Sequence, residues 1–199
     1  GKVCYLCINL TRQMSMERRF CLDDSPTFRM LELDEVDSTN EEARRMTRAG
    51  EFGPALILSS YQSAGKGRQG KSFYSPKNTG LYMTLLYPVS GDVFDAVRIT
   101  AKTAAALVKG LEKTVGEGLF IKWVNDIYFQ DRKCAGILAE SVTETDSLHL
   151  KALIIGIGIN LSTEDFPDEL KHTAGSLKLK DADANTVAAD VIHELLFEV

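Results

Sequence analysis

A glycine-rich, cationic segment at residues 61–82 most constrains what this chain can fold into. It reads YQSAGKGRQGKSFYSPKNTGLY, and apolar runs lie on both sides of its glycines, at 55–60 and 81–87. Glycine frees the backbone to wrap around an anion, and neighbouring cations attract one. The segment therefore predicts an anion-binding loop between two strands.

Two nucleotide-binding patterns match this segment, but its context argues against both. GKGRQGKS fits G-x-x-x-x-G-K-S, and GKGRQG fits G-x-G-x-x-G. Both patterns require a helix directly after the glycines. Pro76 falls inside that required helix, and residues 78–80 have the chemistry of a turn. We therefore predict a cationic loop that carries Lys66, Arg68 and Lys71, without the phosphate-loop helix.

Apolar patterns elsewhere in the chain predict an α+β fold. Strands are predicted at 28–36, 55–60, 81–87 and 150–161, with a hairpin of 120–129 and 134–142. Helices are predicted at 38–49, 95–114 and 185–199. Short turns between successive strands indicate a mixed, largely antiparallel sheet with helices packed on one face.

Two of these helices carry more detailed predictions. Ser38 and Glu41 have the spacing of a capping box at the start of the first helix. The second helix is predicted to bury one face, which consists of Val97, Thr100, Ala104, Leu107, Val108 and Leu111.

Composition limits the class of protein. The chain has 199 residues, 44% of them apolar and 26% charged, which is ordinary for a globular domain. A net charge of −5 argues against general nucleic-acid binding. No apolar run has membrane-spanning length and no signal-peptide layout is seen, so we expect a cytoplasmic protein. Cys4 and Cys7 form a single C-x-x-C without a second pair, which favours reduced thiols over a zinc site.

Several polar residues interrupt apolar strands. Lys122, Asn125 and Asp126 lie within FIKWVNDIYF, and Lys133 lies at the following turn. Asp126 either forms a salt bridge with one of these lysines or acts as a magnesium ligand or proton acceptor beside a phosphate. Spacing alone leaves both options open. Glycines at 156 and 158 also interrupt a strand, which indicates close approach of another group to the backbone.

Five segments, in this order, resemble the catalytic domain of the biotin protein ligase family. They are DSTN at 37–40, YQSAGKGRQGKSFYSP at 61–76, GLYMTLL at 80–86, KWVNDIYFQDRKCAGILAE at 122–140 and GIGINLS at 156–162. The resemblance implies a fold like that of class II aminoacyl-tRNA synthetases. It also implies a catalytic domain at 29–199 after an N-terminal extension at 1–28. That extension is too short for a complete DNA-binding domain, and the small C-terminal β-barrel of many members is not expected here.

The resemblance implies an ATP-dependent biotin–[acetyl-CoA-carboxylase] ligase. Such an enzyme uses ATP and Mg²⁺ to convert biotin to biotinyl-5′-AMP and transfers biotin to one lysine of a carboxylase's carrier domain. The implied catalytic residues are Arg68, Lys133 and Asp126, with Asp126 also the metal ligand. The implied biotin-binding residues are Ser38, Thr39, Asn40, Gln62, Gly65, Lys66, Gly67, Arg68, Lys133 and Gly136. The implied nucleotide-binding residues are Phe73, Asn125 and Asn160.

The sequence departs from the family pattern at two positions and leaves other functions open. Lys66 stands where arginine is usual and Phe73 where tryptophan is common. Lysine keeps the charge but loses the bidentate fork, which predicts a weaker grip on an anion. The alternatives are a lipoate or octanoate ligase or transferase of the same fold, the core of a biotin-sensing repressor, and a P-loop nucleotidase. A homodimer is also compatible with the sequence.

Overall fold

The computed structural model describes residues 16–20, 28–91, 95–144, 149–179 and 181–198. Within these ranges the chain forms one eight-stranded sheet, in the order β1-β2-β3-β4-β8-β7-β6-β5. The strands are β1 Met16–Phe20, β2 Phe28–Leu33, β3 Ala55–Ser59, β4 Gly80–Gly91, β5 Leu119–Lys122, β6 Asp126–Phe129, β7 Arg132–Thr143 and β8 Leu150–Asn160.

Strand pairing confirms the predicted mixed, largely antiparallel sheet. β2 and β3 are parallel, and every other neighbouring pair is antiparallel. The long central strands β4 and β8 are buried over most of their length. The apolar runs therefore become the middle of the sheet, as expected for strands covered on both faces.

In the described parts of the chain, three helices cover the sheet. They are α1 Thr39–Arg48, α2 Ala96–Val115 and α3 Asp181–Glu198. Leu56 and Leu58 of β3 pack in one cluster with residues of α2 and α3. Ala55 and Ile57 pack in a second cluster with α1. Since successive side chains of a strand point to opposite faces, α2 and α3 lie on one face and α1 on the other. The prediction placed all helices on one face, and α1 is the exception.

The structure corrects two local predictions. Residues 120–129 form two strands, β5 and β6, because the chain turns at 123–125, where the Asn125 carbonyl accepts from the Ile137 N–H at 2.8 Å. Val97, predicted to be buried on α2, is 52% exposed. The other helical positions that were predicted for this face are buried or packed against the core.

Other predictions lie partly outside the described residues. β1 falls inside the predicted N-terminal extension and pairs with β2 at one edge of the sheet. The cysteines at 4, 7 and 21 lie outside the described ranges. Cys134 is buried in the core, and burial raises the pKa of its thiol to about 12. Across the described helices, none combines the length and the apolar character needed to cross a membrane.

Candidate active site

A cleft opens where the start of α1, the glycine-rich loop and strands β7 and β8 meet. It encloses about 440 Å³ of empty space, counted with its open mouth. Its lining residues are Ser38, Thr39, Asn40, Gln62, Lys66, Gly67, Arg68, Phe73, Asn125, Lys133, Gly136, Ile137, Leu138, Gly156, Ile157 and Gly158.

The first turn of α1 supplies one end of the cleft. Ser38, Thr39 and Asn40 are 2%, 3% and 4% exposed, although all three are polar. The capping box predicted for this turn is wrong, because the Ser38 side chain makes no capping hydrogen bond. Glu41 faces elsewhere, since its carboxylate pairs with Lys66 at 2.5 Å. A long-range ion pair has therefore replaced the local motif.

We call the cluster of Thr39, Asn40, Gln62 and Thr84 the neutral floor. Gln62 Oε1 accepts from the Thr39 N–H at 2.9 Å and lies 3.1 Å from Thr39 Oγ1. Thr84 Oγ1 lies 2.8 Å from Thr39 Oγ1 and 2.6 Å from Asn40 Oδ1. These groups are held by one another, so the cleft begins with a preorganised, uncharged hydrogen-bonding surface.

Asn40 is wedged against the backbone of β8. A Cβ added to Gly156 would overlap the Asn40 amide. The Asn40 Nδ2 donates to Glu140 Oε2 at 2.9 Å, and Glu140 Oε1 lies 2.5 Å from Arg44 Nη2. The close approach predicted at Gly156 is thus confirmed, and the approaching group is a side chain of the floor.

The glycine-rich loop folds back on itself beside the cleft. Lys66 and Ser72 form an isolated antiparallel bridge, and the Gly67 N–H donates to the Lys71 carbonyl at 2.7 Å. Residues 68–70 make only a single 3₁₀ turn, in which Gln69 has φ 56°. No helix follows Ser72, which confirms that both glycine patterns are false matches.

We call Arg68, Asn125, Asp126 and Lys133 the charged row. Arg68 Nη1 donates to Asn125 Oδ1 at 3.0 Å, and Asn125 Nδ2 donates to Asp126 Oδ1 at 2.9 Å. The Lys133 ammonium pairs with the same Asp126 oxygen at 2.7 Å. Of the two readings left open for Asp126, the structure therefore shows a salt bridge with Lys133. The row also ties the loop to the β5–β7 hairpins.

The Phe73 ring supplies an aromatic surface between the neutral floor and the charged row. The ring lies against two glycines, since a Cβ would come within 3.2 Å of it at Gly136 and 2.5 Å at Gly158. Lys133 Nζ stands 5.9 Å from the ring centroid, and Tyr82 meets the ring edge-on at 6.4 Å. Only glycine leaves room for an aromatic face on this part of the sheet.

The structure brings most of the predicted site residues together. Eleven line the cleft: Ser38, Thr39, Asn40, Gln62, Lys66, Gly67, Arg68, Phe73, Asn125, Lys133 and Gly136. Gly65, Asp126 and Asn160 are not among the lining residues. Gly65 packs against Gln62 and Ser75, and Asp126 pairs with Lys133. Asn160 Nδ2 donates to the Gly175 carbonyl at 3.0 Å, while its buried Oδ1 has no hydrogen-bond partner among the residues that the structure describes.

Sequence reasoning missed the residues that hold the floor. Thr84 interrupts the apolar strand LYMTLLY, and that single polar residue was an available signal. Ser75 accepts from Gln62 Nε2 at 2.9 Å, and Glu140 anchors Asn40. Nothing in the local sequence marks these two residues, because their partners lie 13 and 100 positions away.

Ion pairs strengthen the periphery of the cleft. The Arg45 guanidinium lowers the pKa of Asp37 to about 2, and the Lys66 ammonium lowers the pKa of Glu41. Within the described ranges, no three His, Cys, Asp or Glu side chains come together as a metal-binding group. An all-protein metal cage is therefore absent from this part of the chain.

Comparison with known proteins gives one family. Residues 34–160 match the model of the biotin/lipoate A/B protein ligase family. The matched range contains both the neutral floor and the charged row.

Two curated relatives have similar sequences. The bifunctional ligase/repressor BirA of Bacillus spizizenii is 33% identical over 165 residues, covering 82% of this chain and 50% of the relative. The biotin–[acetyl-CoA-carboxylase] ligase of Paracoccus denitrificans is 35% identical over 129 residues, covering 64% of this chain and 52% of the relative. The chain thus spans about half the length of these relatives.

A solved structure has a similar fold. The biotin protein ligase from Aquifex aeolicus, in complex with biotin and ATP, superposes with a TM-score of 0.69 at 27% identity. The match covers 85% of this chain and 69% of that one. It supports the predicted resemblance in architecture as well as in sequence.

Proposed function

The chain belongs to the biotin/lipoate A/B protein ligase family, and from this premise we propose that it is an ATP-dependent biotin–protein ligase. It would join biotin to ATP as biotinyl-5′-AMP and then transfer biotin to a lysine of a carboxylase's carrier domain. The observation that carries the proposal is the convergence of the neutral floor and the charged row on one cleft.

The neutral floor suits the ring end of biotin. The cyclic urea of biotin is uncharged and carries both N–H donors and a carbonyl acceptor. Thr39 and Gln62 offer a hydroxyl and an amide that are oriented by their mutual hydrogen bonds, and Ser38 beside them adds a buried hydroxyl. A site built from such groups discriminates against ligands that lack the matching polar atoms, because its own groups would lose their partners.

The charged row suits the reacting groups, which are the biotin carboxylate and the α-phosphate of ATP. In the first step the biotin carboxylate attacks the α-phosphorus, an O–P bond forms, the Pα–O bond to the β-phosphate breaks, and pyrophosphate leaves. Two anions must approach each other, so cations placed beforehand lower the barrier. Lys133 and Arg68 are the cations that line the cleft together with Lys66. An incoming anion would replace Asp126 as the partner of Lys133.

Asp126 would become available as a proton acceptor once Lys133 pairs with the substrate. In the second step a lysine amine attacks the acyl carbon of the adenylate, the bond to AMP breaks, and the amine loses a proton. Asp126 is held by Asn125 and is the carboxylate of the charged row. We assign it as the proton acceptor for the incoming amine.

Magnesium fits this site only as a companion of the nucleotide. Mg²⁺ is commonly held by one or two carboxylates together with substrate phosphates. Asp126 supplies one such carboxylate, and its position in the charged row fits that donor set. The ion would neutralise charge on the triphosphate.

The nucleotide would occupy the Phe73 side of the cleft. Phe73 offers an aromatic face for a base, and Asn125 lines the same cleft. Asn160 is not among the lining residues, but its buried Oδ1, which has no hydrogen-bond partner among the described residues, is an acceptor suited to an exocyclic amine. The loop at 65–73 would cover the adenylate and exclude water from the mixed anhydride.

The remaining parts of the proposal follow from the resemblance. Residues 29–199 form the catalytic domain, Gly65 shapes the biotin pocket from behind Gln62, and the protein acts in the cytoplasm, where a homodimer is compatible with the sequence. A carboxylase carrier domain is the protein acceptor.

A pyrophosphate-release assay distinguishes a biotin ligase from the alternative enzymes. The chain is incubated with ATP, Mg²⁺ and one acid at a time: biotin, lipoate or octanoate. Release that depends on biotin supports the proposal. Release with lipoate or octanoate alone would make it a lipoate-type ligase, and release without any acid would indicate a nucleotidase.

A further inference from the structure

Two amides of the neutral floor have their directions set in different ways. Gln62 Oε1 faces the Thr39 N–H, a group that can only donate. Its Nε2 faces Ser75 Oγ, whose own proton is directed to the Phe73 carbonyl at 2.9 Å. The direction of the Gln62 amide is therefore fixed by backbone groups at both ends.

The direction of the Asn40 amide depends on Glu140. The neighbour of Asn40 on its other side is the Thr84 hydroxyl, which can donate or accept. The Glu140 carboxylate can only accept, and its second oxygen is occupied by Arg44. Asn40 must therefore turn Nδ2 to Glu140 and Oδ1 to Thr84.

This arrangement determines which groups can donate a proton to Thr39. Thr84 has one hydroxyl proton, and Asn40 Oδ1, at 2.6 Å, must receive it. Thr84 then has none left for Thr39, and Gln62 Oε1 has none to give. The Thr39 hydroxyl donates to one of these two neighbours and receives a proton from neither. Since Thr39 lines the cleft, its oxygen is left as an acceptor for a group bound there.

We propose that Glu140 is a positioning residue for the ligand, because it sets the direction of the Asn40 amide and thereby makes the Thr39 hydroxyl an acceptor for a ligand N–H. This rests on the proposed function, in which the ligand is biotin and the N–H belongs to its ureido ring. Octanoate and lipoate have no such donor, so Glu140 contributes to selection among acids without touching the substrate.

Glu140→Gln tests the inference because it keeps the shape and removes the acceptor-only character. The carbonyl oxygen of the new amide pairs with Arg44, so its NH₂ group faces Asn40. Asn40 then reverses, Thr84 donates to Thr39, and the Thr39 oxygen loses acceptor capacity. We expect biotin to bind about tenfold more weakly. Glu140→Asp, which keeps a carboxylate, should recover part of the loss.

The measurement is titration calorimetry with biotin and with biotin methylated on both ureido nitrogens. Glu140→Gln should lower the affinity for biotin. The affinities for the methylated ligand and for ATP, and the melting temperature, should stay unchanged. Glu144→Gln is the matched control, since Glu144 pairs with Lys151 away from the cleft. Biotin binding within twofold of wild type, or equal losses for both ligands, would overturn the inference.

A ligand-free readout separates this inference from the proposed function. The side-chain NH₂ resonances of Asn40 should shift in Glu140→Gln, and those of Gln62 should not, because backbone groups fix Gln62. If the Asn40 resonances shift and the Gln62 resonances do not, in a chain that binds no biotin, the positioning role of Glu140 stands and biotin is not the substrate. Unchanged Asn40 resonances would overturn the positioning role.

Discussion

The neutral floor and the charged row are both hydrogen-bonded networks, but they differ in burial. Thr39, Asn40 and Thr84 of the floor are at most 4% exposed. In the row, the side chains of Lys133 and Asp126 are 31% and 24% exposed. Buried neutral groups cannot exchange partners with water, so the floor keeps one arrangement. The partly hydrated row can exchange a protein carboxylate for a substrate anion. In the proposed function, the floor would select the ligand and the row would react with it.

Lys133→Ala should have the largest effect, because it removes the cation at the reacting end. We expect biotin-dependent pyrophosphate release to fall by about 100-fold or more. Biotin binding at the floor should change much less, since the floor is held independently. Lys151→Ala, which removes an exposed lysine far from the cleft, is the control. Normal adenylation by a folded Lys133→Ala variant would contradict the division of roles.

Gly156→Ala should damage the floor and spare the row. The new Cβ would overlap the Asn40 amide and displace it. Biotin should bind about tenfold more weakly, since at least one buried hydrogen bond is lost, with ATP affinity retained. Gly91→Ala on β4 is the control, because a Cβ there meets no atom of the described residues within 4 Å. If biotin binds equally well to both variants, Asn40 is not part of the floor's function.

Arg68→Gly should have an intermediate effect, because Arg68 ties the loop to Asn125. Without this link the loop covers the adenylate less well. We expect a severalfold rise in biotinyl-AMP released to solution, about tenfold at most, together with relaxed selectivity among acceptor lysines. Lys71→Ala, a second cation of the same loop, is the control. Released adenylate that stays at the wild-type level would rule out the loop as a cover.

Asp37→Asn should have the smallest effect. Arg45 lowers the pKa of Asp37 to about 2 from an ordinary 3.8, so the pair stabilises the fold above about pH 4. That contribution is lost as the pH falls from 4 towards 2. Both side chains are nearly half exposed, so solvent screening limits it to about 1 kcal/mol or less.

Urea unfolding at pH 7 and pH 2.5 checks this prediction. The difference between wild type and Asp37→Asn should be present at pH 7 and should shrink at pH 2.5. Asp168→Asn, at a carboxylate that is 91% exposed, is the control. A difference that grows on acidification would contradict the pKa assignment.

The sequence predicted the sheet well because its signals were local. The apolar runs at 55–60, 81–87 and 150–161 became β3, β4 and β8, and Pro76 correctly argued against a phosphate-loop helix. The predicted capping box is not formed, and Glu41 instead pairs with Lys66, which lies 25 positions away. Local patterns do not report such distant partners.

Prediction of the candidate site shows the same difference between local signals and distant partners. Residues within short motifs, such as Asn40, Arg68 and Lys133, were predicted and do line the cleft. Glu140 was not predicted, since its importance lies in holding Asn40 across 100 positions of sequence. The turn at 123–125 was also missed, because its polar residue Asn125 was interpreted as an interruption within one strand and not as a turn between two. Only the folded sheet shows that Asn125 faces Arg68.

Native mass spectrometry of the chain, mixed with biotin, ATP and Mg²⁺, tests the central claim most directly. We predict that the chain carries one biotinyl-AMP, that the Lys133→Ala variant carries none, and that lipoate gives no adenylate. A chain that carries intact ATP and biotin without ever forming the adenylate, or that forms the adenylate equally well without Lys133, would contradict it.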